Sequence, residues 1–277
     1  MIKEAVYTFK KLKHYKPFDD TFFRLAKLSL HSAKQYYTTV LYTDKDSLEF
    51  LTNGGLKFDR VVLLDSIKEY EGGNYAMPKI LTMISREEPY IHLDFDSILI
   101  EKPYSLLPVS FPFPQPGFNT LKTHNDYEFV YTAYVKCFIE QIMDKIDYEK
   151  QSRIKWNTFP NNSALIVNLP LIVSNIYTEI ITDFVPDKIE LLNPTAIEQQ
   201  YLFSHLEYYD IEYDFRNTVD TFNIVDYRIL SDKEKYFYLE QQKYIHLSQY
   251  SWWPDITDEV LDFFYKKLNL IEKKTIL

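Results

Sequence analysis

Four short apolar runs alternate with helical patterns over roughly the first hundred residues, and this order limits the possible folds more than any other feature. Ala5-Val6-Tyr7-Thr8-Phe9 reads as a first strand. A basic loop follows (Lys10, Lys11, Lys13, His14, Lys16), then a helix over 19–35 with Asp19 or Asp20 at its N-cap. Phe22, Phe23, Leu25, Ala26, Leu28 and Leu30 give that helix one apolar side for a sheet. The run 38–43 predicts a second strand ending at Asp44, 46–51 a short helix closed by Asn53-Gly54-Gly55, and 60–64 a third strand. After the loose stretch Glu71-Gly72-Gly73-Asn74, a helix over 75–86 leads into the fourth apolar run. Pro78 interrupts that helical pattern, so the helix is expected to begin there, with proline in its first turn. A helix crossover returns the chain to start each strand in the same direction, so the expected class is α/β with a mostly parallel central sheet and flanking helices. In such sheets ligands sit at the carboxyl ends of the strands.

The fourth run, Tyr90-Ile91-His92-Leu93-Asp94-Phe95-Asp96-Ser97-Ile98-Leu99-Ile100, is the stretch least explained by packing. Read as one extended strand, it puts Asp94 and Asp96 on the same side, with His92 beside them by period-two counting. Two like charges at the end of an apolar strand repel each other and resist desolvation, so a positive group is expected between them. A hard divalent cation suits carboxylate oxygens, although a strand cap or turn would also place two aspartates here. Lys102-Pro103 ends the run, because proline cannot continue a central ladder.

Beyond it the pattern is less regular. Residues 109–116, with their prolines, are expected as extended loop or edge, and 126–147 as a helix. Asn161-Asn162-Ser163 reads as a turn feeding the apolar strand 164–168, followed by helices over 169–184 and 196–206. Short strands are expected at 222–225 and 244–247 and a last helix at 258–268. No repeat or composition break marks a boundary, so a single domain is expected, with about 1–105 as one half and about 106–277 as the other.

Composition excludes some partners. A net charge of −9 offers no basic stripe for nucleic acid. Cys137 is the one cysteine, so no internal disulfide forms, and its apolar setting suits a buried helix position. No signal-peptide core and no membrane-length apolar run is present, which leads to the expectation of a cytoplasmic protein. Phe263-Phe264-Tyr265-Lys266-Lys267-Leu268 suits peripheral membrane contact or an ordinary docked helix.

Two families place Asp-x-Asp after an apolar strand. The haloacid-dehalogenase phosphatases do so on their first strand and complete a metal site with a later acidic pair; here α/β sequence precedes the motif and no such pair follows. The chain more closely resembles A-type (GT-A, Rossmann-like) glycosyltransferases. The resemblance rests on Tyr75-Ala76-Met77-Pro78-Lys79-Ile80-Leu81, then Pro89-Tyr90-Ile91-His92-Leu93-Asp94-Phe95-Asp96, then Asn161-Asn162-Ser163-Ala164, Ile197-Glu198-Gln199-Gln200 and Lys243-Tyr244-Ile245-His246-Leu247. Ala164-Leu165 stands where that family's Asn-Ser/Ala-Gly segment has glycine.

The resemblance implies transfer of a sugar from a nucleotide-diphosphate donor, most naturally a UDP-sugar, to a saccharide or other hydroxyl acceptor. It implies Mn²⁺ or Mg²⁺ held by Asp96, with Asp94 direct or through water, and by His246 as third ligand. Tyr7, Thr8 and Asp44 would meet base and ribose, Lys79 the donor or Asp94, and Asn162 and Ser163 the donor sugar. Glu198 would be general base on the acceptor side, with Gln199 nearby and Trp252 and Trp253 stacking on a sugar face. A metal-dependent phosphatase or nucleotidyltransferase, and a catalytically silent nucleotide-sugar-binding protein, are the alternatives. Each residue also has a plainer explanation: a core histidine for His246, a helix-surface lysine for Lys79, a dipole-compensating surface acid for Glu198.

Overall fold

The computed structural model describes residues 2–12, 20–72, 74, 76–103, 109–111, 164–183, 198, 202, 205, 206, 209–211, 213–215, 244–246 and 258–268. The expected alternation is present in its first third. Strands β1 (Glu4–Phe9), β2 (Thr38–Thr43), β3 (Arg60–Leu63) and β4 (Tyr90–Leu93) are linked through helices α1 (Asp20–Lys34), α2 (Lys45–Asn53), α3 (Asp65–Glu69) and α4 (Met77–Ile84). The short α3 is an element that the sequence pattern did not announce. Proline lies at the first turn of α4, where its missing N–H has no helical partner to lose.

The acidic run is not one strand. It breaks into β4 and β5 (Ser97–Leu99), and the Asp94 carbonyl accepts the Ser97 N–H at 3.1 Å, closing a tight turn. Downstream lie β6 (Val109–Phe111), β7 (Ala164–Val167), α5 (Pro170–Asp183), β8 (Tyr213–Phe215), β9 (Tyr244–His246) and α6 (Asp258–Lys267). The segments 126–147 and 222–225 fall outside the described residues.

The seven-stranded sheet has the order β3-β2-β1-β4-β7-β6-β8. β1, β2, β3 and β4 run parallel, β7 is antiparallel to both β4 and β6, and β8 is parallel to β6. The sheet is therefore mixed and mostly parallel. Alternation along the strands divides the core between its faces. Val6, Val40, Tyr42, Tyr90, Leu165 and Val167 face α4 and α5, through Met77, Ile80, Met83, Val173, Ile176 and Tyr177. Ala5, Tyr7, Leu41, Ile91, Leu93 and Ile166 face α1 and α2, through Phe22, Ala26, Leu30 and Leu51. A sheet covered on both faces explains why its strands read as near-continuous apolar runs.

From β1 the chain builds outward through β2 to β3, then crosses to the other side of β1 to lay down β4. The order therefore reverses between β1 and β4, and the crevice beyond their carboxyl ends is where such sheets take ligands. Beside it, β5 and β9 form a separate antiparallel pair.

Candidate functional site

Alternation continues past the end of β4 and sorts the acidic turn. His92 and Asp94 face α4, while Phe95 faces α1. Phe95 sits among Tyr7, Phe9, Phe22 and Phe58, with ring centroids 5.3, 5.7, 5.8 and 6.2 Å away. These spacings are those of interacting aromatic pairs. The middle residue of the motif is thus an anchor, and the carboxylates flank it at half-exposed positions.

Lys79, on the first turn of α4, reaches Asp94 Oδ1 at 3.0 Å and also pairs with Glu198 Oε1. The lysine and Glu198 side chains are 8% and 7% exposed, whereas Asp94 is 36% exposed. Burial alone would lower the Lys79 pKa, but the charges of Asp94 and Glu198 outweigh it and leave the ammonium above its ordinary value. Glu198 is held at its backbone too, where its carbonyl accepts the Tyr177 hydroxyl at 2.7 Å. A surface dipole-compensating role for Glu198 does not survive this placement. Neither does an ordinary helix-surface role for Lys79.

His92 is 1% exposed, with Nδ1 3.9 Å from Asp94 Oδ1. Thr82 donates its hydroxyl to the Pro78 carbonyl at 3.0 Å, and Thr8 donates to Thr82 Oγ1 at 2.9 Å. Thr8 Oγ1 therefore accepts from His92 Nε2 at 3.1 Å, which assigns the Nε2–H tautomer and turns the Nδ1 lone pair toward the acidic turn. Burial, then the Lys79 charge, push the His92 pKa well below the ordinary histidine value, so the ring is neutral.

The register of β5 on β9 brings the backbone of His246 opposite Ser97, immediately after Asp96. Asp94, Lys79 and the sequence-distant Glu198 thus meet through their side chains, and the backbone of His246 pairs with the residue after Asp96.

Other expected site residues are placed differently. Tyr7 is wholly buried, and its hydroxyl lies 3.1 Å from Ser29 Oγ; burial raises its pKa. It supports the site from beneath. Asp44 caps α2 through Oδ1, which accepts Ser47 N–H at 2.8 Å, and its Oδ2 pairs with Lys10 at 3.2 Å. Burial acts to raise its pKa, and the Ser47 and Lys10 contacts more than offset that, so it lies below the usual carboxylate value. Asn162, Ser163, Gln199, Trp252 and Trp253 lie outside the described residues. Among the described residues no group of three or more His, Cys, Asp and Glu side chains is arranged to hold a metal ion. No helix among them is long and apolar enough to cross a membrane.

Several supporting residues carry no signature of their own in the sequence. Ser29 donates to the Asp94 carbonyl at 3.2 Å, and Ser32 accepts the Leu99 N–H at 3.0 Å. The available clue was two serines three apart on the otherwise apolar side of α1. A family model, described as a family of unknown function (DUF6734), matches residues 7–166, more than half of the chain. This chain belongs to the DUF6734 family. The match runs from the second half of β1 through most of β7 and includes the acidic turn, Lys79 and His92. No curated protein matches this DUF6734 member. Among solved structures, it is similar to the PaToxG glycosyltransferase at 12% identity and a TM-score of 0.39, covering 74% of this chain and 70% of that one.

Proposed function

We propose that this protein is a metal-dependent glycosyltransferase that moves a sugar from a nucleotide-diphosphate donor, in the first instance a UDP-sugar, to a hydroxyl of a saccharide or other acceptor. The observation that carries this reading is the position of Asp94 and Asp96. They occupy a tight turn at the carboxyl end of β4, where the strand order reverses.

Carboxylate oxygen is the donor type that a hard divalent ion prefers. Two half-exposed carboxylates supply oxygen, and the strand bearing His246 runs beside the turn. Asp96, Asp94 and His246 would hold Mn²⁺ or Mg²⁺, which when bound neutralises the diphosphate leaving group. The chain's own residues do the rest. Lys79 holds Asp94 in one orientation and adds a fixed positive charge close to the leaving group. His92, kept neutral, adds no competing charge, and Thr8 fixes its ring. Glu198, expected as general base, is assigned instead to work through Lys79, pairing with the same ammonium as Asp94. Asn162, Ser163, Gln199, Trp252 and Trp253 are assigned to donor and acceptor sugars from the sequence resemblance.

Calorimetry with UDP, GDP and their sugars, with and without Mn²⁺, tests the proposal when joined to an assay for sugar transfer. Metal-dependent diphosphate binding with transfer supports it. Phosphate release from small phosphomonoesters would move the assignment to a phosphatase. One observation favours a second reading: Lys79 already neutralises Asp94 without any metal. Nucleotide-sugar binding that needs no Mn²⁺ and leads to neither hydrolysis nor transfer would establish a silent binding protein instead.

A further inference from the structure

Helix α1 presents a row of polar groups to a segment that lies outside the main sheet. Ser29 and Ser32 are fully buried on its sheet-facing side. Ser29 donates to the Asp94 carbonyl at 3.2 Å, so the neighbouring Tyr7 hydroxyl is the donor to Ser29 Oγ. Ser32 donates to the Ser29 carbonyl at 2.7 Å and accepts the Leu99 N–H at 3.0 Å. Just past the helix, Tyr36 donates to the Ile100 carbonyl at 2.7 Å and Tyr37 to the Pro103 carbonyl at 3.4 Å. One helix and its C-terminal extension therefore grip the backbone at residues 94, 99, 100 and 103. In the middle of this grip the Phe95 ring is locked into its aromatic surround.

Packing alone does not account for the serines. Alanine is a better helix former and buries no hydroxyl, so an apolar helix face gains nothing from serine unless its oxygen has work to do. The work on view is to give the turn's backbone partners beyond its own Asp94–Ser97 bond: a second donor to the Asp94 carbonyl and an acceptor for the Leu99 N–H. A turn held at its carbonyl, its amide and its central side chain has little freedom left to lose when a ligand binds, and this preorganisation favours affinity.

We infer that Ser29, Ser32 and Phe95 are positioning residues that set the acidic turn in its ligand-ready shape before any ligand arrives. In its consequence for binding, this inference rests on the glycosyltransferase reading given above. The test uses Ser29→Ala, Ser32→Ala and Phe95→Leu, with Ser29→Thr as the variant that keeps the hydroxyl.

The first measurement is amide hydrogen exchange of the ligand-free chain. Leu99 N–H should exchange at least about tenfold faster in Ser32→Ala, the loss expected for one buried hydrogen bond, while Val6 and Val40 amides in the sheet centre keep their rates. The second is UDP titration in Mn²⁺. Ser29→Ala and Phe95→Leu should bind about tenfold more weakly, with Ser29→Thr restoring affinity. Unchanged Leu99 exchange in Ser32→Ala would overturn the inference, as would wild-type affinity in Ser29→Ala and Phe95→Leu. So would sheet-centre amides that accelerate in step with Leu99, because the serines would then serve only global stability. If the wild type binds neither UDP nor GDP in Mn²⁺, the glycosyltransferase reading fails, and the exchange experiment alone decides the positioning role.

Discussion

Replacing Lys79 by methionine removes a cation that two carboxylates share. Glu198 is 7% exposed and Lys79 8%, so most of the cost falls on that pair; Asp94, at 36%, keeps much of its hydration. Leaving one member of a buried pair without its partner costs about 3–5 kcal/mol. At the roughly 2–4 °C per kcal/mol typical of chains approaching this size, the melting temperature should fall by about 6–20 °C. The double variant Lys79→Met, Glu198→Gln removes both charges and should recover most of the loss, because neutral replacements of a buried pair are often nearly neutral in stability. Protonating Glu198 in the single variant removes the charge that has lost Lys79. The deficit is then largest at neutral pH and shrinks as the pH falls into the carboxylate range, where both states hold the proton. Urea denaturation at pH 7 and pH 5, followed by circular dichroism, measures all three quantities. A deficit under about 1 kcal/mol at pH 7 would refute the claim that the pair is energetically coupled. So would a double variant no more stable than the single.

Three further outcomes follow from the same geometry. Asp96→Asn should abolish the Mn²⁺-dependent part of nucleotide binding while the chain keeps a cooperative unfolding transition; calorimetry and thermal unfolding read the two effects separately. His92 has a folded pKa well below its unfolded value, so its contribution to stability is full above about pH 6.5 and declines as the pH falls below that; His92→Phe should flatten this part of the stability–pH curve measured in urea. Gly54→Ala would drive a methyl group into the Phe23 ring although the backbone there is ordinary (φ −73°), and should cost about 1–3 kcal/mol, relieved when Phe23 is shortened to leucine.

The first four strands and, apart from the short α3, the helices between them were legible because each is a local pattern: alternating or continuous apolar runs, Asp44 before α2, Pro78 opening α4. The carboxyl-end placement of Asp94 followed from the same order. What local pattern could not supply is direction and contact between distant segments. The antiparallel course of β7 depends on where the chain re-enters the sheet, and Ala164–Val167 reads as the same apolar strand whichever way it runs. The turn at Asp94–Ser97 entered only as the plainer alternative, because Phe95 and the apolar run from Ile98 let the period-two count continue through it. Glu198 was read as an acceptor-side base or a plain surface acid, and its pairing with Lys79 was missed because the two lie far apart in the sequence. Ser29 and Ser32 looked incidental because the groups they satisfy are backbone atoms, which carry no residue identity.

The pairing of β5 with β9 has a consequence for how the chain assembles. Ser97 finds its strand partner at His246, more than half the sequence later. A chain emerging from the ribosome can close β1 through β4 and dock α1 while that partner is still being synthesised. The acidic turn is then shaped on its helix side and open on the other, so a nascent chain carries the aspartates well before it can offer the whole site.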